Sequence, residues 1–206
     1  MRGQWPEAAA RALAGQLPYR RRLAASSGSA AARASLAGVA LALRALGRVL
    51  GRHVAAGEIV MAPGEKPHLA RQVSTAGRVP PAQTHAPVAA SAHARPDFSI
   101  SHSGPWVGCA AVAHGRVGLD IEMGTDARIA DWVVREAVLK ASGAGLRAAD
   151  ETRGLELRNE HVHWHGELWH VRRLEVFPGA CACVLSSRVL GAVDAHVVQL
   201  AELFVS

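Results

Sequence analysis

The chain has 206 residues, of which 50% are apolar, 4% aromatic and 19% charged, and its 23 Lys and Arg against 17 Asp and Glu give a net charge of +6. That balance excludes a disordered chain, and the length allows one substantial domain or two small halves that each bury a core. No apolar run long enough for a signal or a membrane span is read from Met1-Arg2-Gly3-Gln4-Trp5-Pro6-Glu7 onward, so a soluble cytoplasmic protein is expected.

The charge is unevenly spread: residues 1–100 carry 13 basic and 4 acidic side chains, residues 101–206 carry 10 and 13. A first half that meets anions and a second that holds a cation would show this asymmetry, and nucleic acid is another anion the basic half could meet. Among the 23 basic residues only Lys66 and Lys140 are lysines, the compact ammonium that serves as a point-charge phosphate binder. Cys109, Cys181 and Cys183 lack the spacing of a zinc or redox site and read as small core hydrophobes in a reducing compartment.

In chain order, residues 1–28 open with an Ala-rich helix and the basic cluster Arg20-Arg21-Arg22. From Ala30 to Leu50 the residues Leu36, Val39, Ala40, Leu43, Leu46 and Leu50 recur with helical spacing and form the stripe of a core helix. A short strand over Glu58–Met61 and the turn Gly64-Glu65-Lys66-Pro67 follow, then an aperiodic surface loop over Ala70–Arg95. Asp97–Gly104 reads as a strand entering a turn, Trp106–Val112 as a second strand, and His114-Gly115-Arg116 as a hairpin turn. Ser101-His102-Ser103-Gly104 lacks the glycine of a nucleophile elbow, which makes a hydrolase reading poor.

Val117–Glu122 is the next strand, and its two-residue period sets Asp120 and Glu122 on one face with Ile121 on the other. Like charges about 4 Å apart repel by roughly 4 kcal/mol near a protein surface, so such a pair calls for a cation or a shared proton. A helix over 128–142 follows, with Asp126 or Asp131 as cap and Gly143 and Gly145 past its end. On it Trp132, Glu136 and Lys140 share a face and could add a third carboxylate and an ammonium to the pair, a set suited to Mg²⁺ with substrate phosphates. Taken singly, Asp-x-Glu is most often a solvated strand face and Glu136 with Lys140 most often an ordinary helical ion pair. Further on, Leu155–Arg158 and the region of Val162 and Trp164 alternate as strands, and His161, His163 and His165 would line one strand face, as a transition-metal set or a solvated edge. Leu168–Val176 and Ala180–Arg188 close an antiparallel pair.

Gly64–Leu69, Phe98–Gly104, Val117–Glu122 and Trp132–Lys140, in that order, together resemble the Sfp-type 4′-phosphopantetheinyl transferases, with their G-K-P, F-[NS]-[IL]-S-H-S, G-[IVL]-D-[IVL]-E and W-x-x-K-E-x-x-x-K elements. The resemblance extends to Trp169–Leu185. It implies an α+β fold of two similar halves, each a long helix on a small antiparallel sheet: a basic, coenzyme A-contacting half over 1–115 and a Mg²⁺-holding half over 116–206. It implies transfer of 4′-phosphopantetheine from coenzyme A to a serine of an apo acyl or peptidyl carrier protein. Asp120, Glu122 and Glu136 would hold Mg²⁺; Asp120, Glu136 and Lys140 would carry the catalysis; Lys66, Ser101, His102 and Arg135 would contact coenzyme A. Arg20 to Arg22 would lie near the coenzyme A 3′-phosphate or the carrier.

Two departures stand out. Arg135 replaces the Lys of the family's K-E pair, and only sixteen positions separate Asp120 from Glu136, where family members carry a longer segment that helps dock the carrier. The readings carried forward are an active transferase, a degenerate member that binds coenzyme A or a carrier without transfer, and a basic nucleic-acid-binding domain. The last has no recognised motif and few aromatics for stacking.

Overall fold

The computed structural model describes residues 5–18, 29–61, 65–70 and 95–204; Arg20–Arg22, Gly64 and residues 71–94 of the expected long loop lie outside the described residues. Helix α1 (Glu7–Gln16) precedes α2 (Ala30–Leu50). The Ser29 hydroxyl accepts from the Ala32 N–H at 3.1 Å to start α2, and Gly51, at φ +62°, ends it. Of the stripe read from the sequence, Val39 and Leu46 are buried and, with Ala42, pack with Leu17, Val54, Ile59 and Phe98 into the first core, against which Leu36, Leu43 and Leu50 lie partly buried.

The expectation that nothing approaches membrane-spanning length is corrected here, because α2 is 21 residues long with a mean hydropathy of 1.3. Its apolar face is turned to protein: Gly38 lies so close to the later strand that carries Ile100 that a Cβ there would stand 2.5 Å from Ile100 Cγ2.

A short pair, β1 (Ile59–Val60) and β2 (His68–Leu69), is followed by the hairpin of β3 (Asp97–Ser103) and β4 (Trp106–Val112). β5 (Val117–Met123), the capped helix α3 (Ala127–Ser142), a 3₁₀ stretch over Leu146–Gly154, β6 (His161–Trp164), β7 (Glu167–Arg173) and β8 (Ala180–Ser186) complete the second half. These four strands form one antiparallel sheet in the order β5-β8-β7-β6. Val133, Ala137, Val138 and Ala141 of α3 bury one face of this sheet with Val162, Trp169, Val171 and Leu185. The fold is thus α+β with small antiparallel sheets, two-stranded beneath α2 and four-stranded beneath α3. From Ser186 the chain returns to the first half, where Arg48 pairs with Asp194 at 3.1 Å and, beyond helix α4 (Leu200–Leu203), Phe204 meets Trp5 edge to face.

Leu155–Arg158 is not a strand: it leaves the 3₁₀ stretch without pairing until Arg158 bridges His161 across Asn159 and Glu160, both left-handed at φ +48° and +63°.

The two halves meet along a polar seam. β5 is an edge strand, and its outward N–H groups would be orphans. Alternate side chains of β3 accept them: Asp97 Oδ2 from Val117 N–H at 2.8 Å, Ser99 Oγ from Leu119 at 3.0 Å, Ser101 Oγ from Ile121 at 3.2 Å and Ser103 Oγ from Met123 at 3.1 Å. The other face of β3, Phe98 and Ile100, goes to the α2 core.

Candidate metal centre

Asp120 and Glu122 leave β5 on the face turned to α3, as the strand period requires. Gly118 shares that face, and it must be glycine: a Cβ would stand 2.0 Å from Ala137 O and 2.8 Å from Ala141 Cβ. Its missing side chain lets α3 settle directly on β5. Asp126 fixes where the helix begins, its Oδ1 accepting from Arg128 N–H at 2.9 Å and Ile129 N–H at 3.1 Å. The first turn is thereby set, and Glu136 and Lys140 arrive beside the strand carboxylates.

Ligand oxygens of Asp120, Glu122 and Glu136 lie within 4.8 Å of one another, and among the described residues no other such group of three acidic, His or Cys side chains is found. The Lys140 ammonium stands 2.6 Å from Asp120 Oδ1 and 3.1 Å from Glu136 Oε1. With all three carboxylates ionised, one ammonium leaves the cluster two negative charges in excess, the complement of a divalent cation. Asp120 is 1% exposed, and its Oδ2 has no hydrogen-bond partner. Burial pushes its carboxyl up to about 6; Lys140 pulls the other way and Glu136 adds to the rise. A buried carboxylate oxygen without a donor is a costly state that a bound cation would relieve. The residues present therefore fit a hard, oxygen-ligated cation.

The other expected site residues lie as follows. The Ser101 hydroxyl is in the cluster, but as a partner of Asp120 and Lys140, at 2.8 and 2.9 Å, rather than open to a cofactor. Lys66, expected on a phosphate, donates to Asp97 Oδ2 at 2.5 Å and Val117 O at 2.7 Å, so it closes the first rung of the seam. Burial lowers its pKa although Asp97 opposes this. His102 is exposed and belongs to the opposite face of β3 from Ser101 and Ser103. Arg135 pairs with Asp131 at 2.6 Å, one turn back on α3, and its Nε is buried without a partner.

The expected row of His161, His163 and His165 is corrected. His165 leaves the strand at φ +49°, stacks on Trp164 and meets Glu151 Oε2 at 2.8 Å, while His161 packs edge to face on His170. An open depression of about 600 Å³ borders His161 and His163 with Glu156, Arg158 and Leu168. It shares no lining residue with the acidic cluster.

Three contributors were not singled out from the sequence: Gly118, Asp97 and Ser103. The alternation Asp97-x-Ser99-x-Ser101-x-Ser103 was the readable signal, since a buried strand with one wholly polar face must be answering donors somewhere. No family model matches the chain, and no curated protein matches it.

Proposed function

We propose that this protein is a Mg²⁺-dependent 4′-phosphopantetheinyl transferase of the Sfp type, moving the phosphopantetheine arm of coenzyme A onto a serine of an apo acyl or peptidyl carrier protein in the cytoplasm. The observation that carries the reading is the bare, buried Oδ2 of Asp120 within a trio of converging carboxylates. The four motif stretches supply the substrate class, and the two helix-on-sheet halves are compatible with that family's fold of paired halves flanking coenzyme A.

Asp120, Glu122 and Glu136 would hold the Mg²⁺, whose charge when bound offsets that of the coenzyme A diphosphate. The Lys140 ammonium adds a fixed positive charge beside the same phosphates. In the transfer the carrier's serine oxygen bonds to the phosphorus bearing the pantetheine arm. That phosphorus parts from the bridging oxygen, and adenosine 3′,5′-bisphosphate leaves with the electron pair. The serine proton passes to Glu136, directly or through one water, because the Glu136 side chain is 16% exposed whereas that of Asp120 is closed off at 1%.

A second reading, coenzyme A binding without transfer, is favoured by the short link Gly124–Asp126 between β5 and α3, which leaves little room for a carrier-docking segment. Intact mass of acyl and peptidyl carriers incubated with coenzyme A and Mg²⁺ separates the two. A phosphopantetheine gain that needs Mg²⁺ and disappears in Asp120→Ala is expected; no gain across both carrier classes overturns transfer in favour of binding alone.

A further inference from the structure

Two hydroxyls belong at once to the seam and to the acidic cluster. Ser101 Oγ accepts from Ile121 N–H at 3.2 Å and from Lys140 Nζ at 2.9 Å, and donates to Asp120 Oδ1 at 2.8 Å. Ser103 Oγ accepts from Met123 N–H at 3.1 Å and donates to Glu122 Oε2 at 2.9 Å. A serine hydroxyl has one proton and two lone pairs. At Ser101 both lone pairs are engaged by N–H donors, so its proton has a single direction left, toward Asp120.

This sorts the oxygens of the carboxylates. Asp120 Oδ1 is held by Ser101 and Lys140, and Oδ2 is left bare. On Glu122, Oε2 is held by Ser103. We infer that Ser101 and Ser103 are positioning residues, reaching from the first half of the molecule to fix which oxygen of Asp120 and of Glu122 is presented to a cation on the second. The inference rests on the metal reading of the trio and deepens it: the centre is assembled across the seam, so its cation affinity depends on how the halves are joined.

The seam provides its own control. Ser99 accepts from Leu119 N–H at 3.0 Å as Ser101 does from Ile121, but among the described residues it makes no hydrogen bond to a carboxylate. A merely structural role would make the serines of the seam equivalent. The test is Mn²⁺ affinity of the full chain, read from the spectrum of free Mn²⁺, with urea unfolding alongside. Ser99→Ala is expected to lose stability and keep the parent affinity. Ser101→Ala and Ser103→Ala are expected to bind Mn²⁺ about 10- to 100-fold more weakly, the range for removing a hydrogen bond to a metal-ligating side chain. Should Ser101→Ala fail to fold, Ser103→Ala, at the more exposed end of the ladder, decides alone. Parent-like affinity in a folded Ser103→Ala would overturn the positioning role while leaving the trio as a metal site. Absence of Mn²⁺ binding by the parent chain would overturn the metal reading and this inference together.

Discussion

Asp120 is the residue on which the others depend, because it carries a charge where water does not reach. Burial holds its pKa near 6, above the ordinary 3.8, so the fold favours its protonated form. The stability this contributes is fully present below the unfolded value and is lost as pH rises through about 6. The difference corresponds to about 3 kcal/mol for a group this buried. In chelator, the stability of the parent chain relative to Asp120→Asn should therefore fall by about that amount between roughly pH 3.5 and pH 7.5, read from urea unfolding at each pH. A difference that does not change with pH would mean the carboxylate is better solvated than its surroundings indicate. At this scale the sequence was informative for the acids, while for the serines of β3 it marked a polar face without naming what that face answers. The spacing of Asp120, Glu122 and Glu136 follows from the periods of a strand and a helix. That Ser101 serves Asp120 rather than a ligand depends on a twenty-residue offset between β3 and β5 that no local pattern encodes.

At the scale of elements, the contact between α3 and β5 decides whether the trio exists. Gly118→Ala would drive a methyl into the backbone of α3, with Ala137 O at 2.0 Å, and the helix can move only by carrying Glu136 and Lys140 away from Asp120. A loss of about 3 kcal/mol is expected, with divalent-cation binding weakened in parallel. Gly154→Ala, with nothing within 4 Å of its Cβ, serves as the neutral comparison. Equal stability of the two variants would show that α3 does not need its close seat. β5 and α3 were legible because each carries an unbroken period and α3 has clear punctuation at both ends, Asp126 and Gly143. Leu155–Arg158 and His165 were misread for different reasons. Alternation does not supply a pairing partner, and Leu155–Arg158 has none until Arg158 bridges His161, whereas at His165 the backbone turns left-handed and ends the alternation of β6.

Across the whole molecule, the two halves are joined by side chains rather than by a continuous sheet. Lys66, Asp97 and three serines answer the free edge of β5. The α+β character, helices with small antiparallel sheets, was legible as element types. The joint between β3 and β5 was not, because it is made between residues twenty positions apart on strands that do not pair, with Lys66 reaching Val117 from 51 positions away. The charge asymmetry acts at this scale too. The sequence carries 13 basic against 4 acidic side chains over residues 1–100 and 10 against 13 over residues 101–206, a balance that would suit an anionic ligand on the first part of the chain. In the proposed function a divalent cation on Asp120, Glu122 and Glu136 holds the diphosphate of coenzyme A. Calorimetric titration of coenzyme A into the full chain, in Mg²⁺ and again in chelator, beside Asp120→Asn, tests it most directly. Saturable binding in Mg²⁺ that is lost in chelator and in the variant is expected. No binding in Mg²⁺, or an affinity unchanged by chelator and by Asp120→Asn, would contradict it.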